Sequence, residues 1–319
     1  MFEFTVAADV GSGFTRLATR SGIRTEETRA ALDPMNGNRV LAVGTKAGRL
    51  LNVNSVFPVR GGISDVRLTA LMLRRFTLDM LKRRSLFGVS LRLAAPFSFN
   101  PMEIGAALDV GREAGFTAVR VFDSMLAGAR GAGVDIDDQR ACMIADIGRE
   151  RMNMLIAASG GAIFERISAF GSSVFDRHIQ AYFAMEQNLL LSLRAAESIK
   201  MNLDKPIVRV HGRDSLTGQP LMRAVSPPRL REALRPTAAL LAGEMARTIE
   251  QAPPEAAADL VDRGVTLIGG GALQYGLARE IGEMLGIPVK AAPNPDNAVI
   301  LGMQQGIMGR PDLGAAARQ

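Results

Sequence analysis

The sequence predicts an α/β fold built from two similar halves with a cleft between them. Residues 4–18 have the pattern of strand, glycine-containing turn and strand, and Asp9 ends the first strand. Two apolar runs, residues 141–145 and 154–158, flank a second turn that begins at Asp146. Strand and helix patterns follow both turns, so the hairpins mark a duplicated plan. A chain of 319 residues is long enough for two domains of ordinary size.

Apolar spacing and turn residues predict the remaining elements. In the first half we expect a strand at 39–44, a helix-like segment at 46–51, a helix at 66–80, a strand at 89–95, a helix at 101–115, a strand at 118–122 and a helix at 123–131. In the second half we expect helices at 174–187 and 190–203, a β-rich insert at 207–225, a helix at 227–250, a strand at 264–268, a helix, a strand at 289–291 and a final helix.

These elements suggest domain boundaries. We predict a first domain over residues 1–140, with a small insert at about 31–63, completed by a C-terminal helix at about 297–312. The second domain then covers residues 141–296, with an insert at about 178–237.

The composition indicates a folded protein with an anionic partner. The chain is 47% hydrophobic and 22% charged, which is typical of globular proteins. Its net charge of +6 favours a nucleotide, a nucleic acid or an acidic membrane surface, although an arginine-rich surface without a specific partner explains it equally well. With one cysteine and two histidines, neither a disulfide framework nor a Cys/His metal site is expected. Neither a signal peptide nor an apolar run of transmembrane length is recognised, so we expect a cytoplasmic protein.

The first turn has the chemistry of a phosphate loop. Gly11, Ser12 and Gly13, with Thr15 two residues later, supply a flexible main chain and hydroxyl groups. Asp9 and its counterpart Asp146 stand at matching strand ends, where both carboxylates can hold a hydrated Mg²⁺ beside phosphates. An aspartate after a single strand is more often a turn residue, but its repetition in both halves favours the metal.

The second turn occupies the same position but has a different composition. It reads Asp-Ile-Gly-Arg-Glu-Arg-Met-Asn over residues 146–153, so Gly148 is its only glycine. Phosphate loops use glycine because main-chain N–H groups must approach the anion closely. Placing Arg149, Glu150 or Arg151 in a left-handed conformation would cost about 1–2 kcal/mol per residue. The glutamate would also repel a terminal phosphate, whereas either arginine could attract it.

Two further segments are candidates for nucleoside contacts. Gly269, Gly270, Gly271, Ala272 and Leu273 follow an apolar strand and are expected to open a helix, which would bring main chain close to a ligand. Close packing of the strand against that helix is the alternative explanation.

Glu197 and Lys200 are three residues apart on one predicted helix, so they share a face. They could contact ribose and adenine. A simple ion pair between the two on a solvated face is the more common use of this spacing.

A basic segment with two apolar residues is a candidate membrane loop. Lys82, Arg83 and Arg84 precede Leu86 and Phe87 at the end of a predicted helix. Inserted apolar side chains would contribute about 1.5–3 kcal/mol each, and each cation near an anionic bilayer about 1 kcal/mol. Alternatively, Leu86 and Phe87 pack into the core.

Taken together, these motifs resemble the MreB family of bacterial actin homologues, within the actin and sugar-kinase superfamily. The resemblance runs nearly end to end and is carried by residues 9–13, 39–44, 58–65, 196–200, 210–220 and 253–273. The Gly-Arg-Asp-x-x-Thr-Gly-x-Pro segment within 210–220 distinguishes this family from other members of the superfamily. The resemblance implies an actin-like, ribonuclease H-like duplicated fold of two domains with a nucleotide cleft.

The resemblance also implies roles for the candidate residues. Asp9, Gly11, Ser12 and Thr15 correspond to the first phosphate loop, and Asp146 and Gly148 begin the second. Glu197 and Lys200 match nucleoside contacts, and residues 269–273 match the adenosine motif.

Departures from the family pattern lie on the hydrolytic side. The family's second loop reads Asp-Ile-Gly-Gly-Gly-Thr-Thr-Glu, and Ser124 stands where the family has the glutamate that orients water. Phe14 replaces a polar residue in the first loop, and the segment between Gly44 and Pro58 is shorter than usual. No catalytic residue is therefore expected.

The resemblance implies a membrane-associated filament protein of cell shape or morphogenesis that binds ATP or ADP with Mg²⁺ and hydrolyses it weakly or not at all. Its expected partners are further copies of itself, a standard MreB, or both, and the anionic inner face of the cell membrane; no nucleic acid is expected. Absence of nucleotide binding, and arginine-assisted hydrolysis, remain open. The alternative functions are a non-polymerising pseudo-ATPase that regulates a true MreB filament, or a working ATPase or small-molecule kinase.

Overall fold

The computed structural model describes residues 4–96 and 98–308. Contacts divide the chain into two compact units. Unit 1 consists of residues 1–139, 157–167 and 297–319, and unit 2 of residues 140–156 and 168–296. The predicted C-terminal helix is present as Ala298–Ile307, and its expected extension over 309–312 lies outside the described residues.

The helices and strands follow one another along the chain in a fixed order. Up to residue 139 they are β1 Phe4–Val10, β2 Phe14–Thr19, β3 Gly22–Glu27, β4 Ala30–Leu32, β5 Val40–Val43, a 3₁₀ helix Gly44–Arg49, β6 Asn54–Val56, α1 Val66–Leu81, β7 Val89–Ala95, α2 Pro101–Ala114, β8 Ala118–Asp123 and α3 Ser124–Gly131. From residue 140 they are β9 Cys142–Ile147, β10 Met152–Ala158, β11 Gly161–Ser168, α4 Ser173–Gln187, β12 Leu189–Leu190, α5 Leu193–Lys200, β13 Val208–Asp214, β14 Pro220–Val225, α6 Pro227–Glu250, α7 Pro254–Arg263, β15 Val265–Ile268, a 3₁₀ helix Gly270–Leu273, α8 Leu277–Leu285, β16 Val289–Ala291, a 3₁₀ turn Pro295–Asn297 and α9 Ala298–Ile307.

The two large sheets repeat one strand order. The first is β3-β2-β1-β7-β8, and the second is β11-β10-β9-β15-β16. In the first, β1 is antiparallel to β2 and parallel to β7. In the second, β9 is parallel to β15, which is parallel to β16. Each aspartate-tipped strand therefore lies at the centre of its sheet, as the predicted duplication requires.

The apolar core of unit 1 is formed by β7 together with helices α1 and α2. Alternating residues of β7 are buried beneath α1 and α2, and Leu86 lies in the same apolar cluster. Helices α3 and α9 approach so closely that a Cβ atom at Gly131 or Gly302 would meet the main chain of the other helix. Glycine is needed at this crossing because no side chain fits between the two helices.

Several sequence expectations need correction. The expected helix at 190–203 is shorter, because Leu189–Leu190 pairs with β13 as a strand and α5 begins only after Ser192, whose hydroxyl caps it. The expected helix-like segment at 46–51 is a 3₁₀ helix. Helix α7 and the strands β3, β4, β6, β11 and β12 were not predicted. Most of these strands have three residues or fewer or alternate weakly, so that periodicity gives little signal.

Candidate functional site

The first loop, in unit 1, presents a carboxylate that requires a positive partner. Asp9 lies opposite Arg16 on β2 and beside Ala94 on β7. Burial raises the pKa of the Asp9 carboxyl, and the charge of Arg16 acts in the opposite direction. A cation at this strand end would favour the ionised carboxylate.

The turn after Asp9 leaves one hydroxyl ready to donate. The Gly11 N–H donates to the carbonyl of Phe14 at 3.0 Å and closes the turn. Ser12 Oγ accepts a hydrogen bond from the Gly61 N–H at 2.9 Å, so its own proton remains to donate to an anion. The Gly13 carbonyl accepts from the N–H of Thr28, which fixes the end of the turn.

Thr15 has a partner within the unit. Its side chain is buried, and its hydroxyl lies 2.9 Å from the hydroxyl of Thr28. Thr15 follows Phe14 at the start of β2, where alternation turns its side chain to the interior. Its contact with a phosphate stays a prediction.

The second loop, in unit 2, forms a tight turn without left-handed residues. The Gly148 N–H donates to the Arg151 carbonyl at 3.0 Å. Of the described residues that have positive φ, none lies between 148 and 151. Arg149, Glu150 and Arg151 therefore do not carry the left-handed strain that the sequence predicted, and the loop can be ordered without it.

The tip of this hairpin is bonded to the start of α4. The Ser172 N–H donates to the Gly148 carbonyl and the Ser173 N–H to the Arg149 carbonyl, each at 2.8 Å. A Cβ atom at Gly171 would meet the Arg149 main chain, so glycine permits this approach. N–H groups at the start of a helix usually need an outside partner. Here the loop carbonyls, not an anion, satisfy two of them.

Charges at the hairpin tip are balanced inside the unit. Arg149 Nε lies 3.6 Å from a Glu150 carboxylate oxygen, and its Nη1 lies 3.5 Å from one of Glu197. The Ser173 hydroxyl donates to the other oxygen of Glu150 at 3.2 Å. Arg149 thus connects the second loop to α5 through Glu197, one of the two residues predicted to contact the nucleoside.

Lys200 is an internal counter-charge. Its Nζ lies 2.8 Å from the Asp176 carboxylate and donates to the Ser172 carbonyl at 3.3 Å. Both Lys200 and Asp176 are buried. Its ammonium is therefore desolvated and paired within the unit, and its contact with a nucleoside stays a prediction. Contrary to the simpler alternative, Glu197 and Lys200 do not pair with each other; each has its own partner.

The three glycines after β15 have different roles. Gly269 has φ of +83°, and its N–H donates to the Pro295 carbonyl at 2.7 Å. A Cβ atom at Gly269 would overlap the Asp146 carboxylate, and one at Gly271 would overlap the Ile147 side chain. Gly270, in contrast, has open space where a Cβ would lie. Close packing, the alternative explanation, therefore accounts for two of the glycines and leaves only Gly270 open to a ligand.

The expected helix start at these glycines is also wrong. Gly270–Leu273 is a short 3₁₀ helix, and α8 begins only at Leu277. Ala272 is buried, whereas Leu273 is 45% exposed and remains available for an apolar contact. A single 3₁₀ turn lacks the aligned N–H groups and dipole of an α-helix, so that dipole-based argument for a phosphate does not apply.

In unit 1, the carboxyl groups of Asp123, which precedes Ser124, and of Glu165 form a pair that the sequence patterns did not identify as a site. Asp123 Oδ1 accepts from the N–H groups of Met125 and Leu126, at 2.7 and 2.8 Å, and so caps α3. Glu165 on β11 accepts from the Ser98 N–H at 3.0 Å. Burial, followed by the charge of Asp123, raises the pKa of Glu165 to about 7.

Ser124 itself is buried, and its hydroxyl has no hydrogen-bond partner among residues 4–96 and 98–308. The sequence gives little indication of the pair formed by Asp123 and Glu165. An aspartate before a helix is usually interpreted as a cap, and a glutamate in a half-buried strand as a residue that faces solvent.

The basic loop exposes one of its two predicted apolar residues. Leu86 is 1% exposed and belongs to the core, so its prediction as a membrane residue is wrong, whereas Phe87 is 73% exposed. Phe4, which the sequence patterns did not single out, is 53% exposed, and its N–H donates to the Gly88 carbonyl at 3.2 Å. The Arg83 guanidinium lies 5.0 Å from the Phe4 ring centroid and donates to the Phe87 carbonyl.

Lys82 ends α1 in a left-handed conformation, and Arg84 completes the three cations of the loop. In the part of the chain that the structure covers, no helix has both the length and the apolarity needed to cross a bilayer.

Comparison with known sequences decides the family. The family description for MreB/Mbl protein matches residues 4–310. The chain belongs to the MreB/Mbl family. The cell shape-determining protein Mbl of Bacillus subtilis is 29% identical over 317 residues, which covers 95% of both chains. The cell shape-determining protein MreB of Escherichia coli K12 is 28% identical over 278 residues, covering 82% of this chain and 80% of that protein. The family predicted from the motifs is thereby confirmed.

Solved structures confirm the actin-like fold expected of an MreB/Mbl protein. MreB5 of Spiroplasma citri bound to AMPPNP matches with a TM-score of 0.88 at 24% identity, covering 96% of each chain. The same protein bound to ADP matches with a TM-score of 0.86. The MamK double helical filament matches with a TM-score of 0.79 at 15% identity, covering 97% of this chain and 99% of that one.

Proposed function

We propose that this MreB/Mbl protein forms cytoplasmic filaments on the inner face of the cell membrane, takes part in cell shape, and binds adenine nucleotide with little or no hydrolysis. Its similarity to the cell shape-determining Mbl and MreB proteins supports the cellular role. A fold shared with a protein solved as a filament supports self-association. A fold shared with AMPPNP- and ADP-bound MreB5 supports nucleotide binding.

The second loop is the observation that carries the prediction of weak hydrolysis. Its carbonyl groups are bonded to the start of α4, and Arg149 and Glu150 are engaged within the unit. The guanidinium of Arg149 is therefore already paired, and the carboxylate of Glu150 would repel a terminal phosphate. Ser124 cannot act as a base, and loss of such a group typically costs on the order of 10²–10⁴ in rate.

The remaining residues fit a nucleotide with Mg²⁺. Ser12 retains a proton to donate, the main chain at Gly270 is open, and Asp9 and Asp146 are carboxylates at strand ends. Within the described ranges no group of three or more acidic, histidine or cysteine side chains could hold a metal. Mg²⁺ would therefore be held chiefly by the nucleotide's own phosphates, whose charge it would neutralise, and through water by a strand-end carboxylate.

Titration of a fluorescent ATP analogue, with and without Mg²⁺, tests this proposal, together with phosphate release on the same protein. We expect saturable, Mg²⁺-strengthened binding and phosphate release at background. Asp146→Ala should weaken binding in Mg²⁺, whereas Asp204→Ala, which removes an exposed aspartate outside the site, should not. Absence of binding with and without Mg²⁺ would contradict the nucleotide proposal.

Sedimentation with and without ATP, and with anionic liposomes, tests assembly and membrane binding. Exposed Phe4 and Phe87 beside Arg83 fit an anionic bilayer, because apolar side chains enter lipid while cations stay at its surface. We expect Phe4→Ser/Phe87→Ser to abolish liposome binding, and Leu216→Ser, at an exposed residue in unit 2, to retain it. Failure to pellet at high concentration, with or without liposomes, would favour the non-polymerising regulator or a partner MreB as co-polymer.

One observation favours a working ATPase as the second candidate. A carboxyl group with a pKa of about 7, Glu165, lies beside Asp123, the residue that precedes Ser124 at the position of the missing glutamate. A group with such a pKa is suited to accept a proton at neutral pH. Phosphate release above background that Glu165→Gln abolishes, with nucleotide binding retained, would establish this alternative.

A further inference from the structure

A groove of about 620 Å³ lies in unit 2, separate from the second loop and from the glycines after β15. One wall is formed by α5, where Ala195, Ser198 and Ile199 share a helix face. The other wall consists of the consecutive residues 205–211, which lead into β13. A helix face and a strand thus enclose a groove of the size that small ligands and short peptide segments occupy.

The groove follows the edge of β13 rather than one face of its sheet. Side chains alternate along the strand, with Val208 and Val210 buried and Arg209 and His211 exposed. Residues of both kinds line the groove. Because alternate side chains point to opposite faces, a groove that touches every residue must run along the main chain itself.

Hydrogen-bond register shows which main-chain groups face this groove. The Asp214 N–H donates to the Gln219 carbonyl at 2.8 Å, across the turn between β13 and β14. In an antiparallel pair such bonded positions alternate, so residues 212, 210 and 208 bond to β14. The N–H and C=O groups of Arg209 and His211 therefore point away from β14, toward the groove.

No described strand pairs with β13 at these two residues. Strand β12 consists of Leu189 and Leu190 only, and it pairs with residues 213 and 214. The edge of β13 is consequently open where the groove lies. An open edge is a template for an added strand, since unpaired main-chain groups are satisfied when a second chain pairs with them.

The charge around the open edge selects the kind of chain that fits. Lys205 and Arg209 are exposed at the groove, and Ile207 is 60% exposed between them. Two such edges from copies of this chain would bring cations together, which disfavours self-pairing. An extended segment with alternating acidic side chains would present carboxylates on one face, toward both cations. The methylene groups of the acidic side chain between them would cover Ile207.

We infer that this groove binds an extended acidic segment of a partner protein, which adds to the edge of β13 as a strand and packs its outer side against α5. The recognition elements are the main chain at Arg209 and His211, the charges of Lys205 and Arg209, and the apolar surface of Ile207. This inference does not depend on nucleotide binding or hydrolysis.

Fluorescence anisotropy of the full chain with a labelled eight-residue peptide of alternating glutamate and valine tests the inference. The open edge of β13 along the groove, residues 208–211, spans roughly 13 Å, and an extended eight-residue peptide is long enough to reach beyond it to Lys205. We expect saturable binding, and about a tenfold loss of affinity in Lys205→Glu/Arg209→Glu. Arg229→Glu/Arg194→Glu, an equal change of charge at exposed residues outside the groove, should retain binding.

A change in the peptide tests strand addition without altering the protein. Replacing two alternate valines with proline removes main-chain donors, and we expect it to abolish binding at unchanged peptide charge. Equal binding of the proline peptide, or of a lysine–valine peptide, would overturn the inference. So would release of the labelled peptide as the protein concentration is raised, which would indicate that a second copy occupies the edge, or failure of the acidic peptide to bind.

Discussion

Glu165 is expected to make the stability of this protein depend on pH near neutrality. Its carboxyl lies beside that of Asp123 and accepts a hydrogen bond from the Ser98 N–H. Burial and the neighbouring negative charge raise the pKa of Glu165 from 4.5 to about 7. The folded protein therefore holds this proton more tightly than the unfolded chain does. Its contribution to stability is fully present below pH 4.5 and is lost as the pH rises toward 7.

Glu165→Gln removes this dependence and preserves the shape of the side chain. The pKa difference corresponds to at most about 3 kcal/mol, and screening by solvent of this partly exposed side chain reduces the figure to about 1–2 kcal/mol. We expect the variant to match the wild type at pH 5 and to exceed its free energy of unfolding by about 1–2 kcal/mol at pH 8. Its amide keeps an oxygen for Ser98 and offers N–H groups to Asp123.

Urea unfolding at pH 5, 6, 7 and 8, followed by circular dichroism, measures this difference. Glu186→Gln, at an exposed glutamate on α4, is the matched control and should follow the wild type at every pH. If Glu165→Gln and wild type change in parallel across the range, the proton is not held by Glu165 and the argument fails.

Three further predictions concern positions where the structure separates neighbouring residues. Leu86→Ala should lower the free energy of unfolding by about 2–5 kcal/mol because it leaves a cavity in the core. Phe87→Ala should change it by less than about 0.5 kcal/mol. Equal effects of the two substitutions in urea unfolding would contradict the assigned burial. Lys200→Met should lower the free energy of unfolding by about 3–5 kcal/mol, since it leaves the buried carboxylate on α4 unpaired. This loss should shrink in acid, where the carboxylate is protonated. A loss that does not depend on pH would count against the ion pair. Gly271→Ala should crowd β9, lowering the free energy of unfolding by about 1–3 kcal/mol and with it the thermal midpoint. Gly270→Ala should be tolerated. The reverse order of effects would refute the roles assigned to these glycines.

The sequence predicted the duplication because each hairpin can be recognised from residues that are adjacent in the chain. Each hairpin brings its own apolar strands, glycine and aspartate, and strand Val265–Ile268 with its glycines is equally self-contained. The family follows from motifs of the same kind. Bounds of most helices agree within one or two residues, since capping residues such as Asp65 and Asn100 lie where the apolar pattern begins.

Side-chain roles were harder to predict because they depend on distant partners. Lys200 looked available on a helix, but Asp176, 24 positions earlier in the chain, buries and neutralises it. Leu86 and Phe87 look alike in sequence, yet one side chain enters the core and the next faces solvent. No periodicity within the loop distinguishes the two.

The bonds between the hairpin tip and α4 give this protein a natural reporter. The amide hydrogens of Ser172 and Ser173 are held by the carbonyls of Gly148 and Arg149, so they can exchange with deuterium only when the tip lifts from the helix. A molecule that wedges beneath the tip would speed their exchange, and one that binds without moving it would leave the rate unchanged. Mass spectrometry of a peptide spanning this junction would therefore reveal the motion of the loop in filaments and on membranes, without a label or a substitution.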